Sequence, residues 1–356
     1  MTDTAFFEEI QKLEEKIKNT PLPPELKNKA LEMVIRLTKL GKVTEYSTEY
    51  ENTSRFLDWI LSLPWVKEST DNLNLVNAEN ILNKNHYGLK NVKDRILEYL
   101  SVVKLQTEAD NNPLQQKNKI TRAPILLFVG LVGTGKTTLG YSIAESLGRK
   151  FERIPFGGLG DALFLRGQSR GYADAEPGQI IKALRRAGTK NPVILLDEID
   201  RVATEARSTI MGVLVELLDP EQNSNFVDHY IDYPFDLSKV LFIGTCNNTT
   251  NISTAVLDRL EPIQMPSYTD EEKIAIAKDF VLKRILEEYG ISKERIIIDG
   301  DLWPQIVRPL GFDAGIRTLE RTIEGILRKI AKKIVEGDKE IFHITKENVK
   351  DFLPTW

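Results

Sequence analysis

Apolar residues recur at helical spacing near the start of the chain. Along residues 5–19 they stand three and four positions apart, at Phe6, Ile10, Leu13 and Ile17. A second helix is predicted over residues 24–40, because Pro24 favours a first helical position and Gly41 ends the pattern. A third is predicted over residues 54–63, closed by Pro64. These helices indicate a small helical domain, acting either as an adaptor or spacer or as a substrate-binding element.

The next segment is polar and irregular in pattern. Residues 67–77 are typical of a linker, and residues 85–88 are typical of a turn. A helix is predicted over about 92–105. Residues 107–122 are rich in Asn, Gln and Lys, so we expect a mobile loop there.

From Pro124 the pattern changes to short apolar runs separated by helical segments. The predicted strands are Ile125–Val129, Phe151–Pro155, Val193–Asp197, Val240–Cys246 and Pro262–Met265. Buried strands alternating with helices are typical of a parallel sheet covered on both faces. This part of the chain is therefore predicted to be an α/β domain.

Beyond Tyr268 the pattern becomes helical again. Helices are predicted near 270–289, 301–308 and 314–336, then a short strand at Glu340–Ile344 and a last helix from Thr345. We expect a separate, mainly helical lid.

Composition and charge exclude several classes of protein. Hydrophobic residues make up 41% of the 356 residues and charged residues 28%, as in soluble globular proteins. The apolar runs are too short to cross a bilayer, and no signal-peptide core is visible. The single cysteine, Cys246, excludes an internal disulfide, and a reducing, cytoplasmic setting is expected. A net charge of −4 argues against nucleic-acid binding driven by phosphate contacts.

The segment Gly130–Thr137 fits the phosphate-loop motif G-x-x-x-x-G-K-[ST] and lies between a predicted strand and a predicted helix. Glycines let backbone N–H groups point at phosphates, and a helix N-terminus favours negative charge. We expect Lys136 to reach the β- and γ-phosphates of ATP and Thr137 to bind Mg²⁺. The predicted binding residues are Gly130, Gly133, Thr134, Gly135, Lys136, Thr137 and Thr138.

An acidic pair follows the predicted strand Val193–Asp197. In a parallel sheet this end lies near the phosphate loop, so Asp197 is predicted to hold Mg²⁺ and Glu198 to polarise the attacking water. A protein that only binds nucleotide needs the first carboxylate alone. The pair therefore favours hydrolysis, although Glu198 taken alone also fits a solvated strand end.

Three further polar residues stand near the ends of predicted elements. Asn247 follows a strand, from which its carboxamide is placed to contact the γ-phosphate and the lytic water. Arg259 precedes a strand and Arg317 opens the long lid helix. Without family knowledge, either arginine fits a surface ion pair better than a catalytic role.

At this point several stretches resemble the ATPase module of the Lon protease family, from about Phe56 to Leu353. They include HYGLKNVKDRILEYL, GTGKTTLGYSIAESLGRKF, AGTKNPVILLDEID, LLDPEQNSNFVDHYIDYPFDLSKVLFIGTCN, LDRLEPIQMPSYTDEEK and GIRTLER. The resemblance implies an AAA+ fold, namely an α/β P-loop domain with a parallel central sheet, followed by a helical lid subdomain and preceded by a small helical domain. The boundaries expected are 1–66, 67–123, 124–268 and 269–356.

The resemblance also implies roles for matching residues. It places His86, Tyr87 and Gly88 at the adenine pocket, with Tyr87 the main contact. It makes Asn247 the first sensor, Arg259 the arginine finger supplied to a neighbouring subunit, and Arg317 the second sensor. Members of the family work as hexameric rings that pull polypeptide through a central pore, with the nucleotides between subunits.

The chain departs from the family where substrate is gripped. The aromatic–hydrophobic pair of the pore survives as Tyr172-Ala173, with Asp174 where the family has glycine. Ser208-Thr209-Ile210 replaces a glycine-aspartate-proline stretch. The serine–lysine protease domain is expected to be absent from these residues, either naturally or because the sequence is truncated.

Three hypotheses follow. The first is an ATP-driven, Lon-type motor acting on polypeptide, without peptidase activity of its own. Its partners would be further copies of itself, polypeptide substrates and a protease domain on another or a longer chain. The second is a regulatory switch or assembly scaffold that binds ATP but threads no substrate. The third, a nucleic-acid-acting relative, is disfavoured by the charge.

Overall fold

The structure is a computed structural model, and it describes residues 3–40, 48–110, 124–308, 313, 315–338 and 340–354. Its helices are α1 (Asp3–Asn19), α2 (Pro24–Leu40), α3 (Thr48–Ser62), α4 (Leu75–Asn85), α5 (Lys90–Asp110), α6 (Lys136–Leu147), α7 (Leu163–Arg166), α8 (Gln179–Ala187), α9 (Arg207–Leu218), α10 (Thr254–Leu257), α11 (Asp270–Ile276), α12 (Leu282–Tyr289), α13 (Trp303–Val307), α14 (Arg317–Val335) and α15 (Val349–Phe352). Its strands are β1 (Ile125–Val129), β2 (Phe151–Pro155), β3 (Val193–Asp197), β4 (Phe226–Val227), β5 (Pro234–Phe235), β6 (Leu241–Cys246), β7 (Leu260–Gln264), β8 (Ile296–Ile298) and β9 (Phe342–Ile344).

The five predicted strands form one parallel sheet in the order β2-β3-β6-β1-β7. The prediction of a parallel α/β sheet is confirmed, and three strands have the predicted bounds. The other two differ by one or two residues, since β6 begins at Leu241 and β7 covers Leu260–Gln264. Because β6 lies between β1 and β3, their carboxyl ends bring the phosphate loop and the acidic pair to one edge.

Alternate side chains along the strands enter two different cores. On β1, Leu127 and Val129 belong to a core shared with the N-terminal helices. Leu126 and Phe128 belong to a second core, shared with α4, α5 and the lid. The N-terminal helices and the lid thus belong to two cores that lie on opposite faces of one sheet.

Part of the predicted apolar stripe on α1 is buried, and Leu13 within it is half-buried. Ile10 and Ile17 are buried, while the predicted roles of the Phe6 side chain and of Gly41 lie outside the described residues. The third helix begins at Thr48 rather than at 54, because polar residues in its first turns hide the apolar spacing. Trp65 follows α3 and its ring centroid lies 4.9 Å from that of Phe235.

The segment before the sheet is more helical than predicted. The helix α4 was missed, and the predicted linker 67–77 runs into it. Asn74 caps α4, since its Oδ1 accepts hydrogen bonds from the N–H groups of Val76 and Asn77 at 3.0 and 3.2 Å. The helix α5 extends to Asp110, so the predicted loop begins later, and residues 111–122 of it lie outside the described residues.

The lid is helical as predicted. Its first predicted helix, 270–289, is continuous but contains a π-helical segment at Ala277–Val281. The second and third are shorter than predicted, at Trp303–Val307 and Arg317–Val335. No helix in the described ranges is both long and apolar enough to cross a bilayer.

A parallel pair of short strands completes the lid. The predicted final strand is confirmed at Phe342–Ile344, and it pairs with β8, which was not predicted. The last helix begins at Val349 rather than at Thr345.

Candidate functional site

The phosphate loop connects β1 to α6 through left-handed glycines. Gly133 and Gly135 have φ of +83° and +91°, which a residue with a Cβ rarely adopts. A Cβ at Gly130 would lie 2.7 Å from the Cβ of Met265 on the strand side. No side chain caps α6, whose first N–H groups therefore face the loop. This is the geometry of an anion-binding helix terminus.

Lys136 lies folded back over the loop. Its Nζ donates hydrogen bonds to the carbonyl oxygens of Gly130 and Leu131 at 2.5 and 3.0 Å, and to Oδ1 of Asn247 at 3.2 Å. Burial lowers the pKa of Lys136, while the neighbouring acidic groups oppose the shift. The predicted lysine and the predicted first sensor are thus in direct contact.

Asp197, at the end of β3, is buried, and both of its carboxylate oxygens have partners. Its Oδ2 accepts a hydrogen bond from Nε of Arg153 at 2.7 Å and forms an ion pair with Nη2 of the same guanidinium at 2.6 Å. Its Oδ1 accepts one from the hydroxyl of Thr245 at 2.5 Å. That hydroxyl also accepts the N–H of Glu198 at 2.9 Å, so one threonine on β6 orients both acids.

Glu198 has a left-handed backbone conformation, with φ of +59°. Such a conformation is uncommon for a residue with a side chain and is often found at functional sites. Its carboxylate forms an ion pair with Arg201 at 3.2 Å and lies over Gly157, where a Cβ would approach Oε2 to 3.0 Å. The side chain is partly exposed, as an acid that must meet a water requires.

Asp200 connects the acidic strand to the sensor segment. Its Oδ2 accepts hydrogen bonds from the backbone N–H groups of Asn247 and Asn248 at 3.1 and 3.4 Å. The residue is buried, and its carboxylate interacts electrostatically with Lys136. Asp200 therefore fixes the backbone from which Asn247 reaches Lys136.

The segment predicted to meet adenine packs against α6 and the lid. His86 is buried, and its Nε2 lies 2.9 Å from the hydroxyl of Ser142 on α6. Tyr87 is 40% exposed, with its ring centroid 6.4 Å from that of Phe280 in the lid. Gly88 has φ of +62°, so the chain turns directly after Tyr87. The exposed Tyr87 ring is available to a planar ligand.

The start of α14 lies directly on the phosphate loop. The N–H of Ile316 donates a hydrogen bond to the carbonyl oxygen of Gly133 at 3.1 Å. Arg317 is exposed, and its Cγ would lie 3.3 Å from a Cβ placed on Gly133. On the other side of the loop, the hydroxyl of Tyr268 lies 3.4 Å from the carbonyl oxygen of Thr134. The lid thus brings the predicted second sensor to the loop.

Arg259 is held away from the phosphate loop within its own chain. Its Nη2 forms an ion pair with Asp219 at 2.7 Å, and its Nη1 donates to the carbonyl oxygen of Ala255 at 2.7 Å. Asp219 follows α9, and its hydrogen bond from Arg259 lowers the pKa of its carboxyl group. The arrangement leaves Arg259 partly exposed at the end of α10.

The predicted pore segment lies at the surface of the α/β domain. Tyr172 is 71% exposed and Ala173 is also exposed. Two residues earlier, the guanidinium of Arg170 lies 4.0 Å from the ring centroid of Phe56 on α3. Arg170 and Tyr172 line a cleft of about 360 Å³ together with residues of α2 and α3, so this segment lies beside the N-terminal helices.

The donor set suits magnesium bound through a nucleotide. Mg²⁺ is usually held by one or two protein oxygens together with substrate phosphates. The half-buried Thr137 hydroxyl and the Asp197 carboxylate supply these at the loop edge. In the part of the chain that the structure describes, no cluster of three or more His, Cys, Asp or Glu residues forms a metal cage.

Five residues that shape the site were missed from the sequence, namely Arg153, Asp200, Asp219, Thr245 and Tyr268. Arg153 carried a weak signal, because a charged residue inside a predicted parallel strand needs a partner. The others act through contacts that sequence spacing does not show.

Comparison with known proteins agrees with this geometry. Residues 126–268 match the model of the ATPase family associated with various cellular activities (AAA), and residues 287–342 match the Lon protease AAA+ ATPase lid domain. The chain is 45% identical over 346 residues to Lon protease from Lawsonia intracellularis and 46% identical over 346 residues to Lon protease from Dictyoglomus thermophilum. It is 42% identical over 345 residues to Lon protease 1 from Bacillus subtilis.

These alignments cover 97% of this chain but only 40%, 42% and 43% of the three relatives. The chain therefore spans about two fifths of the length of the curated relatives it matches.

Proposed function

Since this chain belongs to the AAA ATPase family as a Lon-type module, we propose that it hydrolyses ATP, with Mg²⁺, to move polypeptide. The observation that carries the proposal is the meeting of Lys136, Asn247, Asp197 and Glu198 at one sheet edge beside an open helix N-terminus. Lys136 provides the positive charge, and the acids lie at the carboxyl end of β3, which is separated from β1 by β6. A nucleotide-binding protein without turnover would not need Glu198 held in a strained conformation.

The residues divide the work of hydrolysis. The backbone N–H groups of the loop and Lys136 bind the phosphates, while Tyr87 and Gly88 border the base. Asn247 and Glu198 orient water against the terminal phosphoryl group, and Glu198 accepts its proton. Thr137 and Asp197 would hold the magnesium ion, which would supply positive charge to neutralise the phosphates.

The arginines extend the site in two directions. Arg317 follows the Ile316–Gly133 hydrogen bond, so it is placed to sense a nucleotide in its own chain. Arg259 is tied to Asp219 and partly exposed, which suits an arginine offered to a neighbouring copy. We infer a homo-oligomeric ring, of hexameric type, working in the cytoplasm and separately from membranes and nucleic acid.

The exposed Tyr172 supports the motor over a pure switch. An exposed aromatic side chain provides a contact for an extended polypeptide, whereas the small side chain of Ala173 weakens that contact. Because of Ala173 in the Tyr172-Ala173 pair, the second candidate function is an assembly scaffold that hydrolyses ATP but does not pull polypeptide through a pore. The proposed substrate of the motor is unfolded polypeptide, passed to a protease domain. Peptide-bond cleavage is not assigned to residues 1–356.

Glu198→Gln tests the hydrolytic assignment. The steady-state rate of ATP hydrolysis should fall by about 100-fold or more while ATP still binds, because the amide cannot accept the proton of the attacking water. Glu287→Gln, which changes an exposed acid on α12, serves as the matched control. Unchanged turnover in Glu198→Gln would remove this residue from the mechanism.

Tyr172→Ala separates motor from scaffold. Stimulation of ATP hydrolysis by an unfolded protein should disappear while basal hydrolysis persists. If wild-type protein shows no such stimulation, the scaffold is the better account.

A further inference from the structure

The buried acid of the magnesium site already has a cation partner from its own chain. Arg153 on β2 contacts Oδ2 of Asp197 through two nitrogens, at 2.7 and 2.6 Å. The strands carrying the two residues are neighbours, with Pro155 in register with Asp197. The contact is therefore built into the sheet and does not depend on a loop.

The two partners differ in their freedom to move. The side chain of Asp197 is 6% exposed, whereas that of Arg153 is 53% exposed. A buried carboxylate without a partner is costly, so Asp197 needs a positive charge whenever no metal is present. An exposed arginine can leave at low cost because its charge returns to water.

One carboxylate then has to serve two cations. Two nitrogens of Arg153 occupy Oδ2, and the Thr245 hydroxyl occupies one position on Oδ1. A divalent ion beside Asp197 shares the remaining oxygen positions with these donors and is repelled by the guanidinium charge. The pair thus stabilises the metal-free site and opposes the metal-bound one.

We propose that Arg153 is an internal counter-ion that competes with the divalent cation for Asp197, and so sets how much magnesium the site requires. The proposal rests on the ATP–magnesium function above. It makes Arg153 a positioning residue, acting through Asp197, and it assigns the arginine no contact with the nucleotide. A site with this counter-ion releases its metal more readily once the nucleotide no longer holds it.

The test measures metal binding rather than turnover. Mn²⁺ replaces Mg²⁺, and its free concentration is read by electron paramagnetic resonance with the full chain in excess over a non-hydrolysable ATP analogue. Arg153→Met should bind Mn²⁺ roughly tenfold more tightly than wild type, since a repelling charge has been removed. Arg153→Lys keeps the charge and should stay within about twofold of wild type.

The chain offers a matched control, an arginine on α8 that pairs with an acid on β2. Arg186 pairs with Glu152 at 2.8 Å, and its side chain is 48% exposed, close to the value for Arg153. Arg186→Met removes an equally exposed arginine without touching Asp197, so Mn²⁺ affinity should not change. In EDTA, the midpoint temperature of thermal unfolding should be lower for Arg153→Met than for wild type. In separate samples that contain Mn²⁺ and the analogue instead of EDTA, the midpoint should increase more for Arg153→Met than for wild type.

The outcomes separate the two proposals. Unchanged or weaker Mn²⁺ binding in Arg153→Met, with wild type binding normally, means that the arginine orients Asp197 or does nothing, and the competition is refuted. Weaker Mn²⁺ binding in Arg153→Lys would also contradict the competition. It would mean that the two-nitrogen contact of the guanidinium orients the Asp197 carboxylate for the metal. If wild type itself binds neither Mn²⁺ nor the analogue, the proposed function fails first, and this inference fails with it.

Discussion

Burial of His86 should make the stability of the second core depend on pH. His86 is 6% exposed, and burial, with a further contribution from Lys93, lowers its pKa from 6.5 to about 4. Lys93 donates a hydrogen bond to the carbonyl oxygen of His86 at 2.6 Å, which places its charge close to the ring. The folded chain therefore keeps this imidazole neutral where the unfolded chain would protonate it.

The sign follows from the depressed pKa. The unfolded state binds the extra proton, so the contribution is fully present above about pH 6.5 and is lost as the pH falls towards about 4. The full difference of roughly 2.5 pKa units corresponds to about 3 kcal/mol. Between about pH 8 and about pH 5 the linkage relation gives a loss of about 2 kcal/mol.

The assay is urea unfolding of wild type and His86→Gln across this pH range. Other groups titrate in both proteins, so the difference between their slopes isolates His86. The variant should be less stable near neutral pH, because packing and the Ser142 contact are disturbed, but it should lose about 2 kcal/mol less on acidification. Parallel pH profiles for the two proteins would refute the buried, neutral histidine.

Three further changes probe other contacts. Gly315→Ala places a Cβ 2.5 Å from the carbonyl oxygen of Val132, so the lid should shift away from the phosphate loop. Nucleotide affinity, measured by fluorescence titration, should fall by the equivalent of about 1–3 kcal/mol. Unchanged affinity would contradict the tight contact. Asp219→Asn should misplace Arg259 and reduce the ATP hydrolysis rate by roughly 10- to 100-fold with binding preserved; a wild-type rate would remove Asp219 from that role. Leu327→Ala, at a fully buried lid position, should lower the free energy of unfolding by about 2–5 kcal/mol in urea, and a loss below about 1 kcal/mol would mean that the site collapses around the cavity.

The sequence predicted best where one local pattern determines the structure. Apolar runs specified all five parallel strands, and the glycine-lysine motif specified the loop, because strand burial and left-handed glycines leave direct traces in the residues. It failed where a polar segment is stabilised by tertiary packing. The helix α4 is the example, since Ala78 and Leu82 bury a narrow face that its asparagines obscure.

The candidate site was predicted in its parts but not in its connections. The sequence identified Lys136, Asp197 and Asn247, yet their partners come from strands and turns distant in the chain. Arg153 lies 44 residues before Asp197, and Thr245 lies 48 residues after it. Such pairs depend on the strand order β2-β3-β6, which apolar patterning alone does not determine.

The first three helices share their core with the sheet, and this has a mechanical consequence. The ring centroid of Phe56 lies 6.3 Å from that of Tyr230. The guanidinium of Arg170, two residues before Tyr172, lies 4.0 Å from the centroid of the same Phe56 ring. A force applied to the N-terminal helices would therefore be transmitted directly to the α/β domain, because the two parts share one core and are not joined by a flexible linker alone. Removing residues 1–66 would expose apolar side chains of the α/β domain that are now buried in this shared core. We therefore expect the N-terminal helices and the α/β domain to unfold together.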